Sequence, residues 1–289
     1  MTKVKLDILT IAIISIVIYF IIKKLSHSLT EPFLPSETEQ SIIKTEQHMN
    51  LICLITLFPN KIWCDFLNLF SNYKIFIIVD DTTFDLYEFK NNYKNINFIQ
   101  IEDIKCKLNG YIDTNFTLNK LISGWDKALY YFGVEYNNYD FIWFIEDDVF
   151  FYNEDTLLKI DNQYINSDLL SKKLDGINTD GDKNTWLWYN IHIDCLPPWY
   201  NAMMCAIRMS NRMMKCIHNH AKEKNTLYFL EALFPTIAIN NKLKYHFPEE
   251  MKNIYYRRDY NEKDIDKNNL YHPVKDINNH INFRKKIGV

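Results

Sequence analysis

The stretch "FIWFIEDDVFFY", Phe141 to Tyr152, decides the reading of the fold. An apolar run rich in aromatic and β-branched residues belongs to a buried strand. Glu146, Asp147 and Asp148 interrupt it. Three adjacent carboxylates inside a core would be costly. The run therefore predicts a strand that leaves the core where the acids begin. In open parallel α/β sheets, ligands bind at the carboxyl ends of strands.

The surrounding pattern agrees. "MNLICLITLF" (49–58), "YKIFIIVDD" (73–81) and "INFIQIED" (96–103) each predict a strand. The second also ends in acids, Asp80 and Asp81. "NKIWCDFLNLF" (60–70) has helical spacing that puts Ile62, Phe66 and Leu69 on one face. "TLNKLISGWDKALYYFGVE" (117–135) predicts a helix facing the core with Leu118, Leu121, Ile122, Trp125, Leu129 and Phe132. Strands alternating with helices predict an α/β fold with a mostly parallel central sheet flanked by helices. After Tyr152, Asn153 is placed to cap a short helix, with Glu154 and Asp155 in its first turn. "TWLWYNIHI" and "NAMMCAIRMS" read as strands of a mixed second half. Helices are expected at "NRMMKCIHNHAKE" and "LYFLEALFPTIAINN". The tail from Tyr255 reads as irregular, in acidic and basic patches.

The N-terminus carries a topological signal. Residues 8–22 are continuously apolar or small, with Lys3 and Lys5 before them and Lys23 and Lys24 after. Leu6 and snorkelling lysines extend this run towards the ~20 residues of a membrane span. No small-x-small pattern follows, as a cleavable signal peptide would require. Residues 1–24 are thus expected to be an uncleaved membrane anchor. Residues 25–48, with two prolines, read as a stem, and 49–289 as the globular domain. A single-pass type II arrangement places that domain in the ER or Golgi lumen, and the sequon Asn115-Phe116-Thr117 is compatible with it. Net charge is −3, which gives no basis for nucleic-acid binding. The six cysteines lack zinc-type spacing, and Cys53 and Cys205 read as core residues.

Hard carboxylate ligands at a crevice mouth suit Mg²⁺ or Mn²⁺ held together with a substrate diphosphate. "WFIEDDVFF" resembles the metal-binding DxD segment, in its EDD form, of GT-A-fold glycosyltransferases that use nucleotide-sugar donors. The anchor and stem resemble Golgi-type members, and small transferases of large DNA viruses and protists are similar in flavour. The resemblance implies roles for particular positions. Asp148 would ligate the ion, while Asp147 and Glu146 contact ribose, sugar or metal-bound water. Asp80 or Asp81 would touch the nucleotide. The His272 of "LYHPVKD" would complete the metal shell, with Lys275 on the diphosphate.

An inverting transferase also needs a base to take the acceptor proton. Glu231, a lone acid in the apolar "YFLEALFPT", is the candidate, ahead of Asp194 and Asp180. Without a base, a retaining mechanism is implied instead. His192, His218, His220 and His246 read as solvated or hydrogen-bonded. Trp186 and Trp188 read as core, whereas Trp199, after two prolines, reads as lining an acceptor loop. The expected activity is transfer of a hexosyl or N-acetylhexosaminyl group to a hydroxyl of a glycan, glycoprotein or glycolipid. The rivals are a sugar nucleotidyltransferase and a membrane-anchored, non-catalytic binding protein. The first would show a glycine-rich loop after the first strand, where "LFPNKIWCD" stands.

Overall fold

The computed structural model describes residues 49–115 and 122–287. The expected anchor and stem lie outside these residues, as do Leu118 and Leu121. Among the described residues, no helix is long and apolar enough to cross a membrane.

Strand β1 (Asn50–Thr56) is buried along almost its whole length. Its odd-numbered residues Leu51, Cys53 and Ile55 join one core cluster, and the even-numbered Ile52 and Leu54 join another. Both faces of the sheet are therefore covered, which is why the strand reads as a continuous apolar run rather than an alternating one. Helix α1 (Lys61–Leu67) follows, capped by the Asn60 side chain on Trp63 N. It buries Trp63, Cys64 and Leu67. The expected face is thus corrected: Leu69 is 79% exposed, because the helix ends before it, and Ile62 and Phe66 are only partly covered.

Strand β2 (Lys74–Val79), helix α2 (Tyr87–Asn92), strand β3 (Ile96–Ile99) and helix α3 (Asp103–Leu108) come next. The two short helices were not legible as apolar periodicity: α2 buries none of its residues and α3 only Cys106. Helix α4 (Gly124–Tyr130) starts at a Ser123–Asp126 capping box and buries Trp125 and Leu129. Gly124 is required there, since a Cβ would lie 2.8 Å from Ile55 Cγ2 of β1. Strand β4 (Phe141–Glu146) follows, and Glu146 is its last residue.

Helix α5 (Glu154–Gln163) begins at Asn153, whose side chain accepts from Thr156 N. Short strands β5 (Leu169–Leu170), β6 (Gly176–Asn178) and β7 (Trp199–Asn201) precede β8 (Ala206–Ser210). Helices α6 (Asn211–Lys224) and α7 (Leu230–Asn240), strands β9 (Tyr245–His246), β10 (Asn253–Ile254) and β11 (Tyr271–His272), and helix α8 (Ile277–Ile287) complete the chain. Among the described residues the main sheet has the order β3-β2-β1-β4-β8-β5-β9. The β1–β2, β2–β3 and β1–β4 pairs are parallel, and β8 is antiparallel to both β4 and β5.

Two expected strands are corrected. "TWLWYNIHI" holds only a short 3-10 turn, Trp188–Asn190. Its alternate tryptophans reflect packing of Trp188 against Trp199, not a ladder. In "NAMMCAIRMS" the main-sheet strand starts only at Ala206. Before it, Ala202 N donates to Glu231 O (3.0 Å) and Met203 N to Asp175 Oδ2 (3.1 Å). The tail expected to be irregular contains α8, docked through buried His280 and Phe283.

Candidate active site

The chain runs outward from β1 through β2 to β3, then returns to place β4 on the other side of β1. This reversal is a topological switch point, where the ends of adjacent strands diverge into a crevice. Here the crevice has a volume of about 460 Å³ and is lined by Thr56, Asp80, Gly124, Trp125 and the three acids.

The acids are not equivalent. Asp147 turns back towards β1: its Oδ2 accepts from Thr56 Oγ1 (2.5 Å), and its carbonyl accepts from Trp63 Nε1 (2.8 Å). It ties the end of β4 to β1 and α1. Glu146 Oε1 accepts from Trp125 Nε1 at 2.6 Å. Burial raises the Glu146 pKa, and the neighbouring Asp148 charge raises it further. Burial likewise raises Asp147, against its bond from Thr56.

His272 reaches Asp148 because the chain is stitched there. Phe150 and Tyr271 exchange backbone hydrogen bonds (2.8 and 2.9 Å), and Val274 N donates to Asp148 O at 2.7 Å. His272 Nε2 then lies 3.2 Å from Asp148 Oδ1 and 3.8 Å from Glu146 Oε2. Its Nδ1 is 2.6 Å from Tyr255 O. A proton on Nδ1 donated to that carbonyl leaves Nε2 as the ligand atom, the usual way a second hydrogen bond fixes a histidine tautomer. Burial opposes charging His272. The Asp148 hydrogen bond and the two carboxylate charges outweigh it and raise the pKa.

These groups fit a small divalent ion. Two crowded carboxylates and one oriented imidazole converge; in the absence of an ion a proton on His272 Nε2 balances the carboxylates, and a bound ion would take that proton's place. Cys205, adjacent because Glu146 N donates to Cys205 O (2.9 Å), also places its sulfur in the cluster. The donor atoms of Glu146, Cys205 and His272 lie within 4.8 Å of one another. Burial and the Glu146 charge push the Cys205 thiol well above its usual value. A protonated thiol does not compete as a ligand with oxygen donors for Mg²⁺ or Mn²⁺.

Glu231 sits in the first turn of α7. Its pKa is raised to about 8 by burial, then by the charges of Glu146 and Asp175, with His272 and Lys172 opposing. The structure therefore groups Glu231 electrostatically with the acid end of β4.

The remaining candidates lie around the rim. Asp80 is ion-paired with the buried Lys127 at 2.9 Å, and Lys127 also reaches Asp80 O (2.6 Å) and Asp103 (2.8 Å). Asp81 turns away, its Oδ1 accepting from Thr83 N and Thr83 Oγ1, both at 2.7 Å. Those bonds from Thr83 hold its pKa below the ordinary value. Lys275 lies beyond His272 in a separate recess of about 640 Å³, with Arg257, Arg258 and Pro273. His218 and His246 are hydrogen-bonded to Tyr111 and Ser167, and His192 is exposed. The six cysteines are free.

Sequence reading missed Thr56, Trp125, Lys127, Tyr255 and Cys205. Only Trp125 carried a signal, its place on a core-facing helix just before β4. Thr56, Cys205 and Tyr255 become neighbours of the site through strand pairing, and Lys127 through the packing of α4 beside the end of β2.

No protein-family model and no curated protein matches the sequence. Among solved structures, a 4-diphosphocytidyl-2C-methyl-D-erythritol synthase from Anaerococcus prevotii DSM 20548 is similar with a TM-score of 0.42 and 9% identity, over 84% of this chain and 97% of its own. An active-site mutant of LgtC is similar with a TM-score of 0.42 and 12% identity, over 83% and 95%. Mouse xyloside xylosyltransferase 1, in its apo form, gives a TM-score of 0.37 and 9% identity, over 70% and 84%. At such scores and identities, no residue role or activity is transferred from them.

Proposed function

We propose that this protein is a GT-A-type glycosyltransferase that uses Mn²⁺ or Mg²⁺ and a nucleotide-diphosphate sugar. The observation that carries this reading is the convergence of Glu146, Asp148 and His272 at the switch-point crevice. A bound divalent ion would neutralise the charge that grows on the leaving diphosphate. Asp148 and His272 would hold it, with Glu146 beside them. Asp147 positions the acid turn through Thr56. Asp80 faces the nucleotide end of the crevice, held by Lys127. Lys275, with Arg257 and Arg258 in the same recess, supplies positive charge for phosphate. A hydroxyl of a glycan, glycoprotein or glycolipid is the acceptor, and residues 1–24 anchor the domain to the membrane.

Glu231 serves as general base for an inverting transfer. It works only when ionised, so kcat/KM for transfer should rise with pH and level off above about 8. A bound cation nearby would shift that midpoint downward. The raised pKa also has a stability consequence. Between the ordinary glutamate range and pH 8 the unfolded chain releases this proton and the folded chain keeps it. Stability therefore falls as pH rises through that window. Glu231→Gln should cut kcat about 10²–10⁴-fold. It should also raise the melting temperature of the metal-free protein at pH 8, and not at pH 4. Unchanged kcat would remove Glu231 from the chemistry.

The nucleotidyltransferase rival gains no support after β1, where Leu57–Lys61 contains no glycine. A binding protein without turnover would show metal-dependent nucleotide binding and no donor hydrolysis.

A further inference from the structure

The sheet brings a sulfur to the end of the acid-bearing strand. Cys205 directly precedes β8, and the β4–β8 register sets it against Glu146. Its thiol has apolar core neighbours and meets the Glu146 carboxylate. His272 closes the group from β11, with Nε2 3.8 Å from Glu146 Oε2. Cys205 and His272 are both buried. Among the described residues, no other cysteine belongs to a group of three metal-ligating side chains this close. A buried cysteine is ordinarily a small core residue. This one instead shares a corner with a carboxylate and an imidazole.

The donor set is mixed in hardness. Mg²⁺ and Mn²⁺ favour oxygen and leave the sulfur aside. Zn²⁺ favours thiolate and imidazole, and commonly takes three protein ligands with a fourth position open. Two nitrogen or oxygen ligands ~2.1 Å from a tetrahedral zinc lie roughly 3.4 Å apart. The separation of His272 and Glu146 therefore needs only a small closure. The Zn–S bond is longer, ~2.3 Å, which suits the more distant sulfur. His272 Nε2 thus has two alternative sets of partners. Asp148 Oδ1 lies at 3.2 Å on the oxygen side, and Glu146 with Cys205 forms the other set. One imidazole nitrogen has one lone pair, so it binds one ion at a time.

We infer that Glu146, Cys205 and His272 form a thiophilic metal site that takes Zn²⁺ and, by capturing His272, excludes the hard ion held with Asp148. The step is an exchange without redox change. The S–H bond breaks, its proton leaves to solvent, and the sulfur electron pair forms the bond to zinc. Zinc binding stands without the transferase reading. Its consequence, inhibition of Mn²⁺-dependent transfer by Zn²⁺, rests on that reading.

The test is titration of the full chain with Co²⁺ as a spectroscopic substitute for Zn²⁺, in the presence of a phosphine reductant. A near-ultraviolet thiolate-to-metal charge-transfer band should appear, and Zn²⁺ should bleach it. Cys205→Ser should abolish the band and weaken Zn²⁺ binding by about 10²-fold or more. Asp148→Ala should keep the band, and so should Cys195→Ser with Cys216→Ser, which removes the two less buried thiols. In electron paramagnetic resonance, Zn²⁺ should release bound Mn²⁺ from the unmutated chain and far less from Cys205→Ser. Absence of the band, or an equal band in Cys205→Ser, overturns the inference. Simultaneous binding of Mn²⁺ and Zn²⁺ overturns the exclusion. The transferase reading is scored separately, by donor hydrolysis with Mn²⁺: no hydrolysis in a chain that shows the cobalt band would sink that reading and leave the zinc site standing.

Discussion

Replacing Asp148 with alanine is expected to lower Mn²⁺-dependent donor hydrolysis about 10³-fold. Asp148 Oδ1 is the carboxylate oxygen nearest to His272 Nε2, at 3.2 Å against 3.8 Å for Glu146. Its side chain is partly open to the crevice, so the loss should fall on ion binding more than on folding. His272→Ala should produce a loss of the same order. If the two act as one ligand set, the double variant should be little worse than either single one. Asp147→Asn should behave differently, because Asp147 is engaged with Thr56 Oγ1. Full hydrolysis by a folded Asp148→Ala protein would show that the acid end of β4 does not hold the ion.

The largest expected effect on stability lies beneath the site. Asp161 of α5 is buried, and it accepts from Arg208 Nη1 (2.9 Å), Trp143 Nε1 (3.0 Å) and Tyr73 Oη (2.5 Å). Arg208 Nη2 also donates to Tyr164 O at 2.5 Å. Trp143 and Arg208 are register partners across β4 and β8. The network therefore fastens α5 to the strand that ends in the acids. Burial raises the Asp161 pKa and lowers that of Arg208, against their mutual attraction. Desolvation thus weighs heavily on the pair, and leaving one partner alone should be worse than having both. Asp161→Ala is expected to cost about 3–5 kcal/mol in denaturant unfolding. Adding Arg208→Met should recover part of that loss, because the buried cation is then gone. A single-variant cost below about 1 kcal/mol would place the network among weak surface pairs instead.

Much of the sheet was legible because its strands are buried on both faces and their apolar runs stop at acids. The Glu146–Asp148 turn was legible for the same reason: carboxylates can follow such a run only where it meets water. Residues that reach the site through pairing were not. Cys205 reads as core in "NAMMCAIRMS", and only the β4–β8 register puts it against Glu146. Lys127 sits in an apolar helix, and nothing local shows that it answers Asp80. The face of α1 was misread because Trp63, Cys64 and Leu67 turn inward instead of Ile62 and Phe66, and the helix ends before Leu69. Trp188 is core as expected, but Trp199 was misassigned because the two prolines before it suggested a loop, whereas it is buried in β7, and Trp186, expected in the core, is 36% exposed. A left-handed backbone at Trp186 cannot be read from residue types.

The most direct test of the central claim is a thermal melt of the full chain with a panel of nucleotide-diphosphate sugars, with Mn²⁺ and with a chelator. At saturating concentration, a preferred donor should raise the melting temperature by roughly 5 °C. The rise should require Mn²⁺ and vanish in Asp148→Ala. No rise with any donor, or an equal rise in chelator, would contradict a metal-dependent nucleotide-sugar site at the ends of β1 and β4.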